Sequence, residues 1–212
     1  MAMQVAVLGL GRFGTQLVRT LSAQGNEVLA VDQREAEVQR VAEVATRAAI
    51  ADITDLEALR DLGVAGMEVG VVGTADLEAS VLATMNLQSL GVPSISAKAR
   101  SDRHATILRR IGADRVVQPE KEGGERFAHL IRVKTAADYL TLSAEYGIGV
   151  YEAPAALVGR RLEELDAQGG TRRLLMVVRD SEVQLNPVRS QVIEAADRLV
   201  FAGADDDLAQ AL

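Results

Sequence analysis

Gln4-Val5-Ala6-Val7-Leu8-Gly9-Leu10-Gly11-Arg12-Phe13-Gly14 joins a short apolar run to the pattern G-x-G-x-x-G. Alone the pattern is weak; its surroundings strengthen it. Phe13, Leu17, Val18 and Leu21 recur at helical spacing through Gly11–Gln24, the Gln24-Gly25-Asn26 break follows, and Val28–Val31 is the next apolar run. Asp32 ends that run 18 residues after Gly14. In a strand–loop–helix of this kind Gly9 permits the tight turn and Gly11 lets backbone N–H groups approach a diphosphate. Gly14 lets the helix pack closely on the strand. The helix N-terminus adds about half a positive charge facing the anion. Asp32 is suited to accept ribose hydroxyls, which disfavours a 2′-phosphate. The alternative is a glycine turn with no ligand. Arg12 suits a free terminal phosphate through a bidentate guanidinium contact, or else is a solvated surface arginine. Asp52, at the end of the third strand, either takes an adenine amino group or caps the helix that follows.

The same alternation continues outward. Helix Arg34–Ala45, strand Ala48–Ala51, helix Asp55–Leu62, strand Val69–Gly73 and helix Leu77–Leu90 precede strand Ser94–Ala97, helix Asp102–Ile111 and strand Arg115–Val117. Apolar strands between helices predict an α/β fold, a Rossmann-type doubly wound parallel sheet covered on both faces. After Gln118-Pro119 the rhythm changes. Glu120–Lys134 reads as one more helix, and residues 1–134 as a nucleotide-binding lobe. Strand candidates Tyr139–Ser143, Ile148–Tyr151, Leu174–Arg179 and Leu199–Ala202, a turn at Asp180-Ser181-Glu182 and a short helix at Gly159–Asp166 predict a small α+β lobe over 135–212.

Composition narrows the function. The chain has 212 residues, no cysteine and two histidines, His104 and His129, which argues against thiolate nucleophiles, iron–sulfur clusters and zinc sites. The net charge of −7 is concentrated late: residues 1–134 carry 16 basic and 17 acidic side chains, residues 135–212 carry 7 and 13. An acidic chain with 3% aromatics is a poor partner for nucleic acid, so none is expected. The uncharged stretch Ala79–Ala97 contains Asn86, Gln88, Gly91 and Pro93 and reads as a buried helix followed by a strand, not a membrane span. The start has neither the basic flank nor the apolar run of a secretion signal, so a soluble, cytoplasmic protein is expected. The helix Leu77–Leu90, uncharged after Glu78, and the helix Asp102–Ile111 are expected to form subunit contacts, because a surface helix so poor in charge would otherwise expose an apolar patch.

A Rossmann fold does not make an enzyme. Hydride transfer needs a proton donor or acceptor beside the cofactor. Tyr139, Tyr146 and Tyr151 have no lysine four residues on, His104 reads as a solvated helix residue, and no G-x-S-x-G elbow is present. These features favour a nucleotide-sensing module without turnover. An NAD(H)-binding redox sensor or dehydrogenase-like protein is the competing reading.

Three stretches carry a family resemblance: Ala6 to Gly14, Glu27-Val28-Leu29-Ala30-Val31-Asp32, and Ile111-Gly112-Ala113-Asp114-Arg115-Val116-Val117-Gln118-Pro119-Glu120-Lys121. They resemble the cytosolic regulatory subunits of Ktr/Trk-type bacterial potassium uptake systems, built on the RCK (KTN) domain. Residues 1–134 are similar to its N-lobe. Leu157 to Leu165, Leu174 to Arg179 and Ala196 to Gly203 are similar to its C-lobe. The resemblance implies a homodimer assembling into a ring, an octamer, docked through a membrane-embedded potassium (or sodium-coupled) transporter on the inner face of the cell membrane. It implies that ATP and ADP, or NAD(H) in some relatives, set the ring's shape and gate the pore. By the same resemblance Gly9, Gly11, Arg12 and Asp32 hold the nucleotide, with Arg12 reaching the terminal phosphate, in some members that of the neighbouring subunit. Asp52, Thr74 and Lys98 line the base and ribose side, and Leu10, Phe13, Gly14, Gln33, Ile53 and Ala75 complete the contacts. Asp52 stands where asparagine is frequent in the family. Glu120 would help hold Mg²⁺ or another cation at the phosphates; on sequence pattern alone it is a helix N-terminal acid offsetting the dipole. C-lobes of this group bind cyclic di-AMP between two copies, and here Arg172, Leu174, Asn186 and Pro187 would face that cleft.

Overall fold

The computed structural model describes residues 2–166 and 171–210, which divide into two units, Met1–Glu120 and Lys121–Leu212. The first unit holds β1 (Gln4–Leu8), α1 (Arg12–Ala23), β2 (Glu27–Asp32), α2 (Glu35–Gln39), β3 (Arg47–Ile50) and α3 (Leu56–Asp61). It continues through β4 (Val69–Val72), α4 (Leu77–Ser89), β5 (Ser94–Lys98), α5 (Asp102–Arg110) and β6 (Arg115–Val117). The strands form one parallel sheet in the order β3-β2-β1-β4-β5-β6, the doubly wound order expected from the alternation. Strand periodicity splits the core between the two faces. Along β1, Ala6 and Leu8 join Leu29, Val31, Leu87 and Leu108 on one face. Val5 and Val7 join Val18, Val28, Ala30 and Val41 on the other. The loop after β1 therefore emerges at the carboxyl end of the sheet, where the order reverses between β1 and β4.

Helix α6 (Pro119–Arg132) spans the division between the units. The division falls in the first turn of the helix at which the sequence reading ended the first lobe, at 134. Leu130 and Val133 pack into the core of the second unit. That unit adds β7 (Asp138–Thr141), β8 (Tyr146–Glu152), α7 (Glu163–Asp166), β9 (Arg173–Arg179), β10 (Glu182–Leu185), β11 (Arg198–Ala204) and α8 (Asp205–Leu208). Its antiparallel sheet has the order β10-β9-β11-β8-β7, and Tyr139, Tyr151, Val177, Leu199 and Phe201 fill its inner face. Buried Asp205 holds α6 to this sheet. Its carboxylate lies 2.8 Å from His129 Nδ1 and accepts the Tyr139 hydroxyl, and the two rings stack with centroids 4.7 Å apart.

Several local expectations are corrected. Helix α2 ends at Gln39 instead of Ala45, because the chain tightens into i→i+3 turns that bury Val38 and Val41 together. The predicted helix over Gly159–Asp166 narrows to α7. Strand β10 was not anticipated. It pairs with β9 across a two-residue turn in which Asp180 and Ser181 have φ of 49° and 71°, the backbone of a type I′ hairpin. Helix α4 is not buried all round: Ser80, Ala83, Thr84 and Leu87 face inward, while Leu77, Leu82 and Met85 are exposed. His104 is not solvated. It is 2% exposed on the inner face of α5, and its Nε2 lies 2.7 Å from Ser80 Oγ on α4.

Candidate functional site

The glycine loop is built by close backbone approach. Gly9 has φ +95°, a left-handed conformation, and a Cβ there would lie 2.9 Å from the Thr74 backbone nitrogen. A Cβ on Gly14 would lie 2.0 Å from the Gly9 carbonyl oxygen, and one on Gly73 would lie 2.5 Å from the same atom. These three glycines let α1, β1 and β4 converge. Gly11 differs: a Cβ there would meet nothing within 4 Å. Its lack of a side chain is required by no neighbour in the fold and leaves the loop's backbone open toward solvent. Asp32 is buried and ties the loop to β2. Its Oδ2 accepts the Leu10 N–H at 2.7 Å and its Oδ1 the Arg34 N–H at 2.9 Å. Oδ1 also takes the Arg34 Nε–H at 3.4 Å, so Oδ2 is the oxygen with acceptor capacity left for a ribose hydroxyl.

Two cavities flank the loop and share Gly9, Asp32, Arg34 and Thr74. The first, about 530 Å³, lies on the β2–β3 side and adds Gln33, Asp52, Ile53, Thr54, Asp76 and Glu78. Asp52 does not cap α3; Asp55 does, accepting the Glu57 and Ala58 N–H groups. Asp52 instead closes a turn with Thr54, accepting its N–H at 2.8 Å and its hydroxyl at 2.7 Å. Those bonds hold its carboxyl below the ordinary range.

The second cavity, also about 530 Å³, lies toward β4–β6 and is lined by Gly11, Arg12, Phe13, Gly73, Ala75, Lys98, Pro119 and Glu120 in addition to the shared residues. Lys98 ends β5 with its side chain only 13% exposed. Its Nζ donates to Glu120 Oε1 at 2.7 Å and stands 5.9 Å from the centroid of the Phe13 ring. The hydrogen bond from Lys98 lowers the Glu120 pKa, helped by the positive charge of Arg12. Lys98 thus joins Arg12 beyond the loop, away from Asp52.

Of the residues expected from sequence, Gly9, Gly11, Arg12, Phe13, Asp32, Gln33, Asp52, Ile53, Thr74, Ala75, Lys98 and Glu120 line one or both cavities. Leu10 and Gly14 line neither: Leu10 is fully buried in the core, and Gly14 lies under the Gly9 carbonyl. They shape the loop. Sequence reading missed Arg34, Gly73, Thr54 and Asp76. Gly73 and Asp76 had a readable signal, since both follow a β-strand at the same edge as Gly9. In the second unit Arg172 is buried and gives its guanidinium to the carbonyls of Gln210 and Leu165, while Asn186 takes a positive φ of 49° after β10.

The loop fits a nucleotide: open backbone at Gly11, a helix N-terminus, two cations and a chamber on either side. It fits a cation only in combination with such a ligand. No group of three or more His, Asp or Glu side chains gathers to hold a metal among the described residues, so Glu120 would supply one ligand and phosphate oxygens most of the others.

The TrkA-N domain family matches residues 5–119 and the TrkA-C domain family residues 150–212. The chain is 37% identical to Ktr system potassium uptake protein C of Bacillus subtilis (strain 168), across 99% of this chain and 96% of that one. It is 34% identical to Ktr system potassium uptake protein A of the same organism, across 97% and 93%. Among solved structures the GsuK RCK domain superposes with a TM-score of 0.64 at 18% identity, over all of this chain and 47% of that one. The GsuK channel bound to NAD gives 0.62 at 18% identity, over 98% and 38%, and GsuK bound to ADP gives 0.53 at 20%, over 64% and 36%. These structures share the fold. With a family match over each lobe and relatives that run almost end to end with it, the chain belongs to the Ktr/Trk family, in which a TrkA-N domain is joined to a TrkA-C domain.

Proposed function

We propose that this chain is the regulatory subunit of a potassium uptake system, a nucleotide sensor that binds ATP and ADP in its first unit and gates a membrane-embedded transporter. The observation that carries the reading is the pair of cations, Arg12 and Lys98, beyond the glycine loop where a phosphate chain would end. Adenosine occupies the cavity beside Asp32 and Asp52, and the phosphates pass over Gly11 toward Arg12. The potassium-uptake relatives supply the partner class, and the NAD- and ADP-bound GsuK structures show ligands of this chemistry on the same fold.

The reading is of binding without turnover; of the side chains weighed as proton carriers, Tyr146 is exposed on β8 in the second unit. His104, Tyr139 and Tyr151 are buried and hydrogen bonded within the protein. No helix among the described residues is long and apolar enough to cross a membrane, so the reading places the chain at the inner membrane face through its transporter partner. Copies assemble as a homodimer and then a ring, an octamer, whose shape follows the nucleotide. A ligand shifts such a ring only by its differential affinity for the two shapes, typically about 1–3 kcal/mol. ATP differs from ADP by one phosphate, which Arg12 and a cation on Glu120 are placed to read. The second unit provides a further site for cyclic di-AMP at Asn186 and Pro187; Arg172 and Leu174, also expected to face it, are buried within the unit.

A second reading, NAD(H) sensing, is favoured by one observation: the cavity beyond the loop equals the first in volume and would house the other half of a dinucleotide. Calorimetric titration of nucleotide-free protein with ATP, ADP, NADH and cyclic di-AMP, with and without Mg²⁺, separates the two. Binding of ATP and ADP with a cation-dependent difference supports the proposal; tight NADH binding with indifference to ATP overturns it. Arg12→Ala is expected to remove the preference between ATP and ADP while adenosine contacts persist. Equal loss for both nucleotides would count against the role given to Arg12.

A further inference from the structure

Helix α6 carries two adjacent glycines, Gly123 and Gly124, in its interior. Neither is needed for space: a Cβ at either position would meet nothing within 4 Å. A glycine inside an exposed helix shifts the local helix equilibrium toward coil by about fourfold relative to alanine. Residues 121–128 are exposed, so no burial offsets that loss. The later turns are held differently. Leu130 and Val133 pack into the core of the second unit, and Arg126 Nη1 lies 3.3 Å from Asp138 Oδ1 on β7. Asp205, 1% exposed, holds His129 and Tyr139, and its own N–H donates to the Glu145 carbonyl at 2.9 Å. Arg132 donates to Asp206 Oδ1 at 2.6 Å and keeps its other terminal nitrogen 3.7 Å from Asp205 Oδ2. A buried carboxylate stripped of such partners is strongly destabilising, so the grip on the end of α6 is firm.

We propose that α6 is a jointed helix: it bends at Gly123–Gly124, while the clasp on Asp205 keeps the helix from Arg126 onward rigid with the second unit, which turns about the glycine pair. The division between the units, after Glu120, falls less than one helical turn before the pair. A protein that answers a ligand by changing shape uses such an element, a few residues that absorb a backbone rotation between bodies that keep their packing. The two parts depend on each other. Without the clasp, a rotation would be lost as fraying of the last turns of α6. Without the glycines, it would have to break a continuous helix. The inference is independent of which nucleotide the first unit takes.

Amide hydrogen exchange on the full chain tests the joint and the clasp separately. In the native protein, amides 124–127 are expected to exchange about tenfold or more faster than amides 130–133. Gly123→Ala combined with Gly124→Ala is expected to slow exchange at 124–127 about tenfold and to change 130–133 less than about twofold. Arg132→Ala removes the exposed half of the clasp, and His129→Phe keeps a ring on Tyr139 while removing the donor to Asp205. Each is expected to speed exchange at 130–133 about threefold or more and to leave 124–127 unchanged. The chain has no cysteine, so spin labels on Gln16→Cys and Glu182→Cys, both exposed, report one distance within a chain when labelled protein is diluted with unlabelled. That distance distribution is expected to narrow in the double alanine variant. Uniform protection along α6 overturns the joint, and an unchanged distribution in the alanine variant overturns its role as the turning point. Loss of self-association in the alanine variant also overturns it, because the glycines would then serve the close approach of a second copy. Unchanged exchange at 130–133 in both Arg132→Ala and His129→Phe overturns the clasp.

Discussion

Gly11 and Gly14 occupy one hexapeptide and carry opposite kinds of constraint. A methyl on Gly14 would enter the Gly9 carbonyl, whereas a methyl on Gly11 would project into open space from a backbone with φ −61° and ψ −172°, which any residue adopts. Gly14→Ala is therefore expected to destabilise the protein by about 3 kcal/mol or more, because backbone must shift to admit it. Gly11→Ala should cost less than about 1 kcal/mol at this helix cap. It should nevertheless weaken nucleotide binding about tenfold or more, since its methyl stands where an anion must approach the helix start. Thermal melting and ATP titration of the two variants measure both effects, and equal melting temperatures for the two would refute the division of roles. The loop residues were legible because their chemistry is local. The Lys98–Glu120 pair was legible only in part: both residues were named as site candidates, but their ion pair joins positions 22 apart across β6. Arg34 was not legible, because an arginine after a strand is ordinary until the cavities on both sides of it are seen.

At the scale of elements, α4 and α5 are locked by one buried polar contact. His104 Nδ1 accepts the Arg100 N–H at 3.3 Å, which leaves Nε2–H to donate to Ser80 Oγ, whose own hydroxyl reaches the Leu77 carbonyl. Burial, aided by the positive charge of Arg100, lowers the His104 pKa below its ordinary value and keeps the ring neutral. The unfolded chain takes up a proton at about pH 6.5, before the folded protein does. Stability from this contact is therefore complete above about pH 6.5 and declines as pH falls toward the lowered folded-state value. Melting temperature is expected to drop between pH 7 and pH 5.5, with a shallower slope in His104→Gln; an unchanged slope would show that other groups carry the dependence. Sequence reading put His104 in solvent because one polar residue at helical spacing carries no sign of which face it occupies. It missed β10 for a related reason. Glu182-Val183-Gln184-Leu185 alternates, but Val183 and Leu185 are exposed on an edge strand, so little burial marks the pattern. Long apolar strands were readable because burial on both faces forces a continuous apolar run.

At the scale of the whole molecule, four exposed apolar residues, Leu77, Leu82, Met85 and Ile107, lie on the adjacent helices α4 and α5. Leu77, Leu82 and Ile107 border an open hollow of about 500 Å³, and Met85 lies on the same helix as the first two. Such a patch on a lone chain favours self-association. Light scattering at micromolar concentration is expected to report a dimer or larger species, and Ile107→Glu to shift it toward monomer without lowering the melting temperature by more than a few degrees; a monomeric native protein would sink the idea. The crevice has a polarity of its own. Asp32 and Arg34 border both chambers; the first adds the carboxylates of Asp52, Asp76 and Glu78, and the second adds Arg12 and Lys98 against the single carboxylate of Glu120. Together they make a fixed electric gradient along the direction a ligand must lie. A mononucleotide with its charge at one end is aligned by that gradient before any hydrogen bond forms, and the reversed pose sets its phosphates against the carboxylates of the first chamber. A dinucleotide, with its charge in the middle, gains little alignment from it. At physiological salt the screening length is about 8 Å, shorter than a nucleotide is long, so this orienting pull is exerted inside the crevice and not on approach.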